Sequence, residues 1–276
     1  MKRSTKEMDK KFISDVLNHY NKYSRHDLVW RKKITPYRIL VSEIMLQQTQ
    51  VERVKGKFVL WMKMYPTLHD LSKSSLEDML KLWKGLGYQR RAKALYTIGH
   101  TVRRIPKTFE GLTELPGVGI YTASAVCAFA YNTFSHPVLE TNIRTALIEA
   151  FYTQINNLNS IEEKIHDDIL YSDLVRLSSY KVVKECGARE WYYALMDYGA
   201  FLKKSKISHN HKSKSYNKQS AYKGSRRELR AKVLFSILHK EALPEDKRTE
   251  EIIDELVQEG YLVNTKTGYR IAESFD

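Results

Sequence analysis

Residues 115–119 read Leu115-Pro116-Gly117-Val118-Gly119, and a carboxylate follows in Leu139-Glu140-Thr141-Asn142. A Gly-rich turn between two helical segments exposes backbone N–H groups at the start of the second helix. Together with the positive helix end, such groups make a phosphate site. Gly117 and Gly119 permit backbone angles and a close approach that a side chain would block. Leu115 and Val118 are apolar and anchor the turn. The run that follows, from Ile120 to Ala130, is rich in small residues and suits a buried helix. A backbone clamp for DNA with an acid nearby points to chemistry on a nucleotide. Taken alone, a Leu-Pro-Gly run is an ordinary helix–helix turn, so the rest of the chain must decide.

Working outward, apolar spacing is mostly helical, and Pro and Gly are sparse. Helices are expected over 8–23, 38–48, 53–64, 75–83, 90–103, 120–131, 142–151 and 190–202. No series of alternating strand patterns precedes residue 255. The chain carries a formal charge of +14. A basic chain suits a polyanionic partner, because phosphate contacts release counterions. The 276 residues are enough for one large or two small domains. No apolar run reaches the length of a membrane span. The first residues lack the apolar stretch of a signal peptide. Two cysteines, Cys127 and Cys186, build no disulfide framework and fit a reducing interior.

Four pieces in order carry a family resemblance. They are Pro36-Tyr37-Arg38-Ile39-Leu40-Val41-Ser42-Glu43-Ile44-Met45-Leu46-Gln47-Gln48-Thr49-Gln50-Val51, then Leu82-Trp83-Lys84-Gly85-Leu86-Gly87-Tyr88, the 115–119 turn, and Leu195-Met196-Asp197-Tyr198-Gly199-Ala200. Over roughly residues 25–203 the chain resembles the helix-hairpin-helix (HhH-GPD) DNA glycosylases, and within them the adenine, MutY-type enzymes. The resemblance implies an all-α, two-lobed glycosylase body over 1–204. One helical lobe would span about 35–140 and the second 1–34 with 141–204. Residues 205–224 read as a basic linker. Residues 225–276 read as a small winged-helix-like domain, with helices followed by strands at 260–263 and 268–271.

The resemblance also assigns roles. Cutting an N-glycosidic bond needs an acid for the leaving base and a carboxylate for the positive sugar. Glu43 stands at the family's acid/base position. It lies in an apolar helix, where burial keeps a carboxyl protonated nearer neutral pH. Glu140 stands where the family has Asp, with the same charge on an arm one methylene longer. That departure leaves open retained activity, altered substrate, or binding without catalysis. Asn142 is expected to cap the next helix or hold the loop. Tyr121 stands where bifunctional members have a Lys nucleophile, so lyase chemistry is not expected. Adenine-type members carry Ser there, and a Tyr resembles the thymine mismatch enzymes. Gln47, Gln48 and Tyr88 match the positions that fill the hole left by a flipped base. Arg90 and Arg91 are expected to meet phosphate.

The implied activity is monofunctional removal of a mismatched base, adenine opposite guanine or 8-oxoguanine. Thymine or uracil removal and a catalytically silent DNA-binding protein stay open. Lys203 replaces the first iron–sulfur cysteine, so no cofactor and no metal are expected. Nor does the C-terminal region resemble a Nudix-like domain. The partner would be double-stranded DNA with a mismatched or damaged base, bound by a monomer without membrane attachment. The compartment would be cytoplasmic, at the nucleoid, or nuclear. Eleven Lys and Arg against one acid fill residues 203–232, which suits either a DNA-facing strap or a solvated tether.

Overall fold

The computed structural model describes residues 5–153, 164–217, 219–244, 246–266 and 268–273. In chain order the helices are α1 (Lys6–Tyr23), α2 (Val29–Lys32), α3 (Pro36–Leu46), α4 (Val51–Met64), α5 (Leu68–Leu71), α6 (Leu76–Trp83), α7 (Arg90–Thr101) and α8 (Phe109–Thr113). They continue as α9 (Ile120–Tyr131), α10 (Thr141–Tyr152), α11 (Asp167–Ser178), α12 (Lys181–Cys186), α13 (Ala188–Lys204), α14 (Arg226–His239) and α15 (Lys247–Gln258). Strands β1 (Leu262–Thr265) and β2 (Gly268–Ile271) follow. The fold is therefore mostly helical, as the apolar spacing predicts. The short helices α2, α5, α8 and α12 escape that reading because so few residues carry no clear period, and α11 also falls outside the expected helices. Local caps start α5 and α8, through the reciprocal Thr67–Asp70 box and the Thr108 hydroxyl.

Two compact units divide the chain. The first comprises Met1–Leu40, Pro106–Glu114 and Val118–Lys218. Its core is built on α13, whose Trp191, Tyr192, Ala194 and Leu195 are buried. Helices α1 and α10 bring Phe12, Ile13 and Val16, and Ile143, Ala146 and Leu147, into the same core. Helix α9 is buried from Thr122 to Phe129, which its small residues allow. Asp197 of α13 is buried and accepts from Arg25 Nε at 2.6 Å and from both Arg31 Nη atoms at 2.8 and 3.0 Å. Part of the basic stretch is pinned to this unit. Ile165 N donates to Lys212 O at 2.9 Å, and Lys214 N donates to Ile165 O at 3.0 Å. Lys218 of that stretch lies outside the described residues.

The second unit comprises Val41–Ile105, Leu115–Gly117 and Gln219–Asp276. Phe58 and Trp61 of α4 and Met79, Leu80 and Trp83 of α6 are fully buried. Trp83 Nε1 donates to Gly87 O at 3.0 Å, so the core tryptophan also holds the turn after α6. Helices α14 and α15 bury Val233, Leu234, Ile252 and Leu256 against an antiparallel hairpin pairing Leu262 with Ile271 and Val263 with Arg270. Residues 219–273 thus cluster with 41–105. Lys93 of α7 also donates to the carbonyls of Glu259 and Gly260 at the end of α15.

Candidate active site

Within the second unit, Glu43 is only 5% exposed, between fully buried Ser42 and Ile44. Helix α3 places it there because its apolar residues leave no solvent-facing side in this turn. Gln47, just past the helix end, donates through Nε2 to Gly117 O at 3.1 Å. That bond ties the expected wedge segment to the Gly-rich turn. Gly117 has φ +74°, and a Cβ there would lie 2.7 Å from the Ala94 methyl, so both backbone angle and space require glycine. Leu115 is buried and anchors the turn as expected of it.

Gln48 and Tyr88 both adopt left-handed backbone, with φ of 54° and 47°. Such angles are unfavourable for a bulky side chain, and persist where surrounding structure fixes them. For Tyr88 the fixing groups are visible. Its hydroxyl accepts hydrogen bonds from Gln219 Nε2 and Arg227 Nη1. The guanidinium groups of Arg90, Arg91 and Arg227 lie 5.6, 5.6 and 5.4 Å from its ring centroid. Gln219 and Arg227 sit in the basic run, but no spacing in the sequence relates them to Tyr88.

Arg91 corrects an expectation. It is buried and does not face solvent. Its Nη atoms donate to the carbonyls of Ile44, Met45, Gln47, Leu86 and Gly87 at 2.6–3.0 Å, and to Thr49 Oγ1 at 3.1 Å. The end of α3 leaves carbonyls without helical donors, and this guanidinium answers them. Arg91 thus joins the Glu43 helix to the Tyr88 turn and is closed to phosphate. Burial pushes its pKa down to about 10, still charged at neutral pH. Arg90 is exposed and remains open to an anion.

In the first unit, Val118 is buried and Gly119 is the N-cap of α9 without a capping side chain. Gly119 corrects a second expectation. Its φ of −91° is open to any residue, and a Cβ there would meet nothing within 4 Å. Its fitness for glycine lies in the room left above the exposed backbone. Next to it, Ile120 is 60% exposed at the first helical position. Tyr121 is half-buried, one residue into the helix.

Glu140 is the N-cap of α10. Its Oε1 accepts from Asn142 N at 2.8 Å and Ile143 N at 2.9 Å. Asn142 is therefore capped rather than capping, because the longer Glu arm bends back to the first-turn N–H groups. Oε2 of Glu140 accepts from Thr141 Oγ1 at 3.1 Å, and Thr141 Oγ1 accepts from Lys203 Nζ at 3.0 Å. Lys203, noted in the sequence only for not being Cys, thus steadies the second carboxylate oxygen through a hydroxyl. Burial lowers its pKa, and the Glu140 charge opposes that shift. The arrangement holds a carboxylate in a fixed place with one oxygen on a helix N-terminus.

Among the described residues no group of three His, Cys, Asp or Glu stands ready for a metal ion. His209 pairs with Glu149. Cys127 and Cys186 are too few for the four thiolates of an iron–sulfur cluster, so that group does not fit this chain.

A model of the HhH-GPD superfamily base excision DNA repair proteins matches residues 41–184. The adenine DNA glycosylase of Buchnera aphidicola subsp. Baizongia pistaciae is 37% identical over 151 residues, covering 53% of this chain and 43% of that protein. The adenine DNA glycosylase of Mycobacterium tuberculosis (strain ATCC 25618 / H37Rv) is 38% identical over 165 residues, covering 57% of this chain and 54% of that protein. The chain spans about half the length of these curated relatives. Among solved structures, a thermostable thymine-DNA glycosylase matches with a TM-score of 0.61 at 24% identity, over 76% of this chain and 94% of that one. That likeness is one of fold.

Proposed function

The chain belongs to the HhH-GPD superfamily of base excision DNA repair proteins, and we propose that it is a monofunctional mismatch-specific DNA glycosylase that removes adenine opposite guanine or 8-oxoguanine. The observation that carries this reading is Glu43, an acid only 5% exposed, at the family's acid/base position in an apolar helix. In the proposed reaction Glu43 gives its proton to a ring nitrogen of the flipped base. The C1′–N bond breaks, its electron pair goes to the base, and the Glu140 carboxylate stabilises the cationic sugar. Water adds at C1′ and returns a proton to Glu43, which leaves an intact abasic strand. Gln47, Gln48 and Tyr88 would fill the vacated place in the duplex, and Arg90 and the exposed turn at Gly117–Gly119 would hold phosphates. The adenine glycosylase relatives support the choice of base.

Thymine or uracil removal is the second reading, favoured by Tyr121 where adenine-type members carry Ser. Single-turnover assays on duplexes carrying A·G, A·8-oxoguanine, T·G and U·G pairs test both. Adenine release is expected. Release of thymine or uracil instead would establish the second reading. Tight binding of every mismatch without release would mean a silent lesion-recognition protein.

A further inference from the structure

Within the second unit, a cavity of about 1020 Å³ lies between the Gly85–Arg90 turn and residues of the C-terminal segment. Ligand sites occupy roughly 300–1,000 Å³, so it has room for more than a bare phosphate. Its lining is mostly basic, with four arginines against one carboxylate, Glu259. Arg53, Arg90 and Arg227 line it, and among the described residues none of the three forms an ion pair with a carboxylate. Arg230 in the same wall, by contrast, is held by Glu259 at 2.6 Å. Arg227 is aimed by neutral groups only: the Tyr88 hydroxyl, Ser220 O at 2.7 Å and Ser220 Oγ at 3.2 Å. Its orientation is therefore fixed while its charge is left uncompensated.

Aromatic side chains share the lining. Tyr222 is 52% exposed and Phe235 half-buried, and both face the same cavity. The Tyr88 ring already faces guanidinium groups, and Lys84 Nζ lies 5.6 Å from the Phe235 ring centroid, so a stacking partner would meet Tyr222 or the other face of Phe235. At Gly85 and Gly87 a Cβ would meet nothing within 4 Å, which leaves open space against the backbone. Uncompensated guanidinium groups beside aromatic rings suit a ligand with an anion and a π-face a few ångströms apart.

We infer that this cavity binds one nucleotide, its phosphate held by Arg53, Arg90 and Arg227 and its base stacked on Phe235 or Tyr222. The inference deepens the glycosylase reading and rests on it for the source of that nucleotide, a DNA strand. The C-terminal segment is then part of the DNA-binding surface. Arg227 has a double role, holding the Tyr88 hydroxyl and the phosphate.

The test compares the affinity of the full chain for a short fluorescent single strand with that for an abasic strand of equal phosphate number. Thymidine monophosphate serves as competitor. The base-bearing strand should bind about tenfold tighter, the scale of one base–aromatic stack. Phe235→Leu or Tyr222→Ala should abolish that ratio, and Arg227→Gln should weaken both strands. Tyr222 is exposed, so its variant reads the pocket even if Phe235→Leu fails to fold. Displacement by the monophosphate supports the pocket with free nucleotide as a ligand; failure to displace supports it with DNA alone. Equal affinity of wild type for both strands, or a ratio unmoved by Tyr222→Ala and Phe235→Leu, overturns it. Base release by mismatch duplex is measured in parallel. Release without the ratio overturns the pocket and spares the glycosylase reading. The ratio without release overturns the glycosylase reading and spares the pocket's chemistry.

Discussion

Glu43 is removed from water by the helix that carries it, whereas Glu140 is half-exposed and fixed by two backbone N–H groups. The two acids thus sit in different environments, which suits the proposed roles of a proton carrier and a charge held in place. Glu43→Gln should keep duplex affinity and lower base release by at least about 100-fold, the lower range for a lost general acid. Near-normal single-turnover rates in that variant would remove Glu43 from the mechanism. Tyr121 makes the companion prediction. A phenol cannot form an imine, so borohydride should trap no wild-type protein on DNA, and the product strand should break only after alkali. Covalent trapping would refute the monofunctional reading. The side chains show how far residue identity reaches. The sequence names Arg90 and Arg91 alike, yet one is exposed and the other answers a cluster of carbonyls.

At the scale of elements, the fourth motif has a packing reason. A Cβ on Gly199 would collide with the Asn142 carbonyl, so α13 and α10 approach through that glycine. Neither backbone can give way cheaply. Gly199→Ala should therefore lower stability by more than about 2 kcal/mol in denaturant titration, at the severe end of overpacking. An unchanged midpoint would mean that the helices separate freely. Because Asn142 lies in the first turn of the helix that Glu140 caps, the substitution should also slow base release. Asp197 on the same helix as Gly199 binds two arginines. Burial alone would raise its pKa, but hydrogen bonds and charge from Arg31 and Arg25 outweigh it and hold the carboxyl below its usual 3.8. A depressed carboxyl stabilises the fold above its unfolded value and loses that contribution as pH falls through the folded value. Asp197→Asn should thus destabilise by about 3 kcal/mol at neutral pH. The gap to wild type should close only below about pH 4. A gap independent of pH would assign the loss to packing.

For the whole chain, the charge of +14 predicts salt-dependent DNA affinity. Charge reversal at Lys212, Lys214 and Lys218 should weaken binding alike for all duplex sequences, and lower the salt slope by about one for each phosphate no longer neutralised. An unchanged slope would mean that these three lysines meet no phosphate. The sequence by itself determined the mostly helical class and most of the long helices, because a period of 3.6 residues is local; α11 escaped that reading. It also singled out Glu43, Glu140 and the Gly-rich turn as candidates, because their neighbours in the chain are their context. Only the tertiary structure decided which of Arg90 and Arg91 is open to an anion and that Glu140 rather than Asn142 caps α10. Only there does Arg227 reach Tyr88, from 139 residues away. Each of these depends on which groups folding brings up to a side chain. Burial and hydrogen-bond geometry choose such partners, and neither leaves a period or spacing in the chain to read.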